Sequence, residues 1–147
     1  MLARLLLLAI PLCAGLALGS QAPTNAALAR YVGPVRATWV SVVVSLICLS
    51  IGVAINRQGG NLLAVANAPR WTLLGGCMGV IALVGTVVSV PRLGAAATIT
   101  LIVVGQLATA AAVDHYGWLG VAQRSLDAPR LLGLALLVTG GVLVVRR

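Results

Sequence analysis

Seven side chains in this apolar chain have the chemistry to recognise a ligand or move a proton: Gln21, Thr24, Asn25, Trp39, Gln106, Asp114 and His115. Gln21, Thr24 and Asn25 are spaced by three and four, so on a helix they lie on or beside one face. Gln106 stands alone in the middle of another apolar run. A neutral amide donates and accepts hydrogen bonds at once, which suits polar solutes that are uncharged or zwitterionic. The same amides can instead bond a facing helix and fix packing, worth about 0.6–2 kcal/mol each. Asp114 and His115 form a candidate proton-coupling pair at a helix end, or else an interfacial cap. Ser20 is a weaker candidate for solute contact.

Other chemistries are poorly supplied. The chain has one His, two Asp, no Glu and no Lys, too few ligands for a metal cage. Cys13, Cys48 and Cys77 are isolated inside apolar runs and read as small core hydrophobes. No nucleophile–base pair and no phosphate-binding loop is present. The expectation is a protein that is not an enzyme and that uses no cofactor.

These residues must be positioned inside a membrane. Of 147 residues 61% are hydrophobic and 8% charged, and mean hydropathy is +1.10. Soluble domains carry about 25% charged residues. The net charge of +8 comes entirely from Arg. Those arginines stand singly or in pairs at the ends of apolar runs, as interface anchors do. A nucleic-acid partner would need a clustered basic face, so none is expected.

Five apolar runs are expected as helices over about 3–31, 35–55, 70–90, 94–114 and 129–146, forming one all-α transmembrane domain over 1–147. The basic start and short apolar core of run one also fit a signal peptide. The apolar pattern resumes after the polar stretch Gly19–Asn25, so the segment is read as a retained helix. That stretch, with Gly19 and Pro23, is expected to break the helix and line a water-filled cavity, as broken helices of transporters do. A surface loop is the plainer alternative.

Local signals punctuate the runs. Tyr31-Val32-Gly33-Pro34 reads as a tight turn with positive φ at Gly33, and Pro34 opens the next helix. Thr38, Ser41 and Ser45 share one helical face. Asn67 reads as a cap before Pro69. Gly75 and Gly79 form a small-xxx-small pair that lets helices approach. Asp127 is placed to cap the last helix. Trp71 and Trp118 read as interfacial anchors.

Five spans put the termini on opposite sides. Arg4, Arg57, Arg70, Arg124 and Arg130 then fall on one side, and Arg30, Arg36, Arg92, Arg146 and Arg147 on the other. The bias that orients membrane proteins is near zero. Two copies inserted in opposite senses would recreate an inverted-repeat transporter, with Gly133, Gly140 and Gly141 permitting contact at the last helix.

The polar stretch Gly19-Ser20-Gln21-Ala22-Pro23-Thr24-Asn25-Ala26-x-Leu28-Ala29-Arg30, followed by Gly33-Pro34-x-Arg36-Ala37, resembles the first helix pair of the drug/metabolite transporter superfamily. Pro91-Arg92-Leu93-Gly94-Ala95, Gly105-Gln106-Leu107-x(6)-Asp114-His115-x-Gly117, Arg130-Leu131-Leu132-Gly133 and Thr139-Gly140-Gly141-Val142-Leu143 narrow the resemblance to its half-size, five-helix YdcZ-like family. It covers nearly the whole chain. The resemblance implies a multi-pass protein of the bacterial inner membrane. It also implies that two five-helix units make one transporter, as an antiparallel homodimer or with a homologous subunit, and gives no substrate. From their own chemistry Gln21, Thr24, Asn25 and Gln106 are the expected contacts to small organic solutes in a secondary transporter, with Trp39 either a deeper contact near the cavity or an interfacial anchor. Small multidrug exporters of a related branch couple protons through a Glu in helix one. This chain has no Glu, so coupling there is not carried over. The alternative is a non-transporting structural or regulatory membrane subunit.

Overall fold

The computed structural model describes residues 2–55 and 62–146, with side chains described from Leu8 onward. Arg57, Arg147 and the side chain of Arg4, which enter the sorting of charges above, lie outside the described residues. The chain is built almost wholly of helices: α1 Leu2–Val32, α2 Pro34–Ile55, α3 Leu74–Leu93, α4 Ala95–Tyr116 and α5 Ala128–Val145. Short 3-10 turns cover Leu62–Asn67, Arg70–Leu73 and Trp118–Gly120. No strand occurs among the described residues.

Four stretches are long and apolar enough to cross a membrane: Pro34–Ile55, Arg70–Leu93, Ala95–Tyr116 and Ala128–Val145. Their large side chains, such as Leu46, Ile47, Ile81 and Leu136, are exposed. In a soluble protein that surface would be untenable, whereas in a bilayer the hydrocarbon covers it. The few buried residues are small, and a close approach of backbones needs small residues.

The chain divides into two compact units, Met1–Val88 and Ser89–Arg147. In the first, α1 packs on α2. They are joined by a single non-helical residue, Gly33, at φ +81. Its N–H donates to the Ala29 carbonyl, and its own carbonyl accepts from the Ala37 N–H. In the second unit, α4 packs on α5, and Gly94 at φ +82 repeats the device. It donates to the Val90 carbonyl and accepts from the Thr98 N–H. An L-residue avoids this backbone region, so glycine makes a one-residue link between helices where other residues would be strained.

The expected break in the first helix is not there. α1 runs unbroken through Gly19–Asn25 for 31 residues, with Pro11 and Pro23 inside it. The physical reason is that the polar side chains are satisfied without opening the helix. Pro23 removes a single i→i−4 bond, and the Ser20 hydroxyl donates to the Leu16 carbonyl and the Thr24 hydroxyl to the Ser20 carbonyl, at 2.9 and 2.8 Å. Helix-borne hydroxyls of this kind tolerate burial in lipid without opening the helix.

Three smaller expectations also change. Asn67 closes a 3-10 turn and does not cap: the next turn starts from Pro69, whose carbonyl accepts both the N–H and the hydroxyl of Thr72. Gly75 and Gly79 meet nothing within 4 Å of an added Cβ, so no helix approaches them among the described residues. Gly133 and Gly140 are equally open, whereas Gly141 faces Thr100 and Val104 of α4. Gly141 therefore serves packing within the unit. Asp127 does cap α5, its Oδ1 accepting the Arg130 N–H at 3.0 Å.

Candidate functional site

The first unit carries Gln21, Thr24, Asn25 and Trp39. Asn25 is 6% exposed, between buried Ala22 and Ala26 on the same face of α1. Its amide makes no hydrogen bond among the described residues. Gln21, one turn earlier on that face, is half-buried. Thr24 is exposed and spends its hydroxyl proton on the Ser20 carbonyl, leaving only acceptor capacity. On α2, Thr38 is buried and bonded to the Pro34 carbonyl, and the neighbouring Trp39 is 67% exposed. Burial of Asn25 follows from Ala22 and Ala26: a face of methyl groups lets the packed helix α2 come close to that side of α1.

The second unit carries Gln106, Asp114 and His115. Gln106 is exposed on α4. Asp114 lines a cavity of about 340 Å³ between α4 and α5 that sequence reasoning missed. One wall is Leu107, Ala110, Ala111 and Asp114; the other is Arg130, Gly133, Leu134 and Leu137, with Leu126 between. Each wall repeats i, i+3, i+4, i+7, the stripe of a single helix face. Those two matched stripes were the available signal. The helices run in opposite senses, so the acid ending one stripe and the base starting the other fall at one end of the groove.

Both charges stand against their helix dipoles. Asp114 is in the last turn of α4 and Arg130 in the first turn of α5. Each placement costs about 0.3–1 kcal/mol by comparison with the opposite charge. The two do not neutralise each other either: no ion pair or hydrogen bond engages the Asp114 carboxylate among the described residues. Arg130 reaches only the Arg124 carbonyl, at 3.5 Å.

His115 does a different job. Its Nδ1 accepts the Leu126 N–H at 3.3 Å, and its carbonyl accepts the Gln123 amide at 2.9 Å. The Asp114 carbonyl accepts the Arg124 N–H at 2.8 Å. The extended segment 121–127 is thus stitched back onto the end of α4. His115 packs edge-on to Tyr116, which stacks on Trp118 with centroids 4.8 Å apart. Aromatic pairs at a helix end mark headgroup depth.

A family model described as "Putative inner membrane exporter, YdcZ" matches residues 6–143. The chain belongs to this family. No curated protein matches it, and no solved structure does. Membership makes the YdcZ-family chain a multi-pass inner membrane protein, in keeping with its four apolar spanning stretches. The family's description is that of an exporter and not of an enzyme, and no group of metal ligands occurs among the described residues of the chain.

Proposed function

We propose that the chain is one five-helix unit of a secondary transporter, moving small uncharged or zwitterionic organic solutes across the inner membrane. α1 serves as the fifth span. At about 1.5 Å per residue its 31 residues extend about 46 Å, more than a bilayer core of about 30 Å. Two units in opposite senses make the working assembly, or one unit with a homologous partner. The Asn25 amide, on a largely buried face of α1 and without a hydrogen bond among the described residues, is the observation that supports this reading. Such an amide is free to bond a bound solute. Gln21 and Gln106 supply further amides, with Thr24 and Trp39 as outer contacts.

For energy coupling the reading uses Asp114 and His115. A proton taken up at His115 Nδ1 ends its bond to the Leu126 N–H, so protonation acts directly on the 121–127 segment.

The test starts with a thermal-shift panel of amino acids, polyols and nucleosides on purified protein, followed by transport of the hits in proteoliposomes. Stabilisation and transport should fall at least tenfold in Asn25→Ala, Gln21→Ala and Gln106→Ala, with expression intact. Full activity in all three variants removes the site. For the assembly, two Arg added beside Arg92 should drive one topology and two Arg beside Arg70 the other. Each variant alone should be inactive and the pair active. An active single-topology variant, with no homologous subunit present, refutes inverted pairing.

A further inference from the structure

We propose that the groove between α4 and α5 is a binding site for a zwitterionic phospholipid. The acyl chain lies between the two apolar stripes, the headgroup ammonium meets Asp114 and the phosphodiester meets Arg130. This uses none of the amide residues of the transport reading above and shares only Asp114 with its energy coupling, so loss of lipid selectivity and loss of solute binding in the amide variants are read separately.

Three observations choose this occupant. The groove is apolar along its length and ends in two charges only, of opposite sign, which leave each other unpaired. A ligand matched to it carries a cation and an anion at one end of an apolar body. Next, the charged end lies beside Tyr116 and Trp118, the aromatic stack that marks headgroup depth. A lipid in its ordinary position presents its phosphate and amine at that level and its chain below. Finally, both charges are set against their helix dipoles and neither caps its helix, Asp127 doing that for α5. Local helix stability does not explain them, whereas a bound headgroup does. Phosphatidylethanolamine fits: its ammonium donates to a carboxylate and its phosphate accepts from a guanidinium. An anionic lipid such as phosphatidylglycerol meets Arg130 equally well but is repelled by Asp114.

The test is native mass spectrometry of the purified full chain. The protein is exchanged into detergent with equimolar phosphatidylethanolamine and phosphatidylglycerol. Wild type should retain the zwitterionic lipid about fivefold over the anionic one, which corresponds to about 1 kcal/mol. Asp114→Asn should bring that ratio to about one. Arg130→Gln should lower retention of both lipids, and Leu134→Trp, which fills the groove, should do the same. Ala110→Leu narrows the opposite wall and repeats the test should the Trp variant lose its helical circular dichroism. An unchanged lipid ratio in Asp114→Asn overturns the proposal. So does full lipid retention in both groove-filling variants. If soluble glycerophosphoethanolamine displaces the lipid at matched concentration, the groove is a solute site and the lipid assignment is wrong. If the charge variants alter only the mass of the protein oligomer, a second copy of the chain fills the groove, which is equally fatal.

Discussion

Gly141 offers the sharpest test of how the second unit is packed. An alanine Cβ there would lie 3.1 Å from Thr100 Cγ2 and 3.4 Å from Val104 Cγ2. Carbon atoms prefer about 3.5–4.0 Å, so α4 and α5 must part by a few tenths of an ångström. Overpacking of this kind costs about 1–3 kcal/mol. Set against it is the gain of about 0.5–1 kcal/mol when Ala replaces Gly inside a helix. Gly140 is the internal control, because nothing lies within 4 Å of its added Cβ and only the gain applies. Gly141→Ala should therefore be less stable than Gly140→Ala by about 1–3 kcal/mol, measured by reversible unfolding in mixed micelles with sodium dodecyl sulfate. Thr100→Ser deletes the nearer methyl while keeping the hydroxyl that bonds the Ala96 carbonyl. In a double-mutant cycle it should recover about 0.5–1 kcal/mol of the loss. Equal stability of the two alanine variants, with no coupling to Thr100, would refute the α4–α5 packing described here. Dependence of the difference on protein concentration would place Gly141 in an intermolecular contact instead.

Two further outcomes follow from single contacts. His115→Ala leaves the Leu126 N–H without its acceptor and should cost about 1 kcal/mol, with faster amide exchange across 121–127; His115→Asn keeps an acceptor near Nδ1 and should restore much of the protection. Gly94 combines φ +82 with ψ 159, a region reserved for glycine, so Gly94→Ala should destabilise by about 1–3 kcal/mol in the same micelle titration, and an undiminished midpoint would contradict the turn geometry.

Much of this architecture is legible in the residues. Gly33 and Asp127 announce their roles because each answers a local backbone need: a positive φ, and orphan amide protons at a helix start. Transmembrane character is legible because composition decides it. The Gly19–Asn25 stretch misleads for an equally physical reason. Residue type says that Ser20 and Thr24 are polar, but not that their hydroxyls turn inward onto carbonyls of the same helix. Small-residue pairs mislead likewise, since Gly75 and Gly141 look alike and only Gly141 is approached. The charged groove escaped notice because Asp114 and Arg130 are far apart in sequence, and only antiparallel packing brings the ends of their stripes together. Among the candidate solute contacts, the shared face of Gln21 and Asn25 is legible from their spacing, whereas the burial of Asn25 and the exposure of Trp39 and Gln106 depend on what the neighbouring helices cover.

The stitched segment 121–127 shows that the length of a link is a poor guide to its slack. By sequence the α4–α5 connection is the natural place to insert a tag or a reporter, while the one-residue junction at Gly33 plainly is not. The bonds from Arg124, Gln123 and Leu126 back to Asp114 and His115 erase that difference. α4 and α5 are tied at their connection as well as along their packed faces, as α1 and α2 are at Gly33. An engineered insertion after Gly120 would cut stitching rather than lengthen a tether.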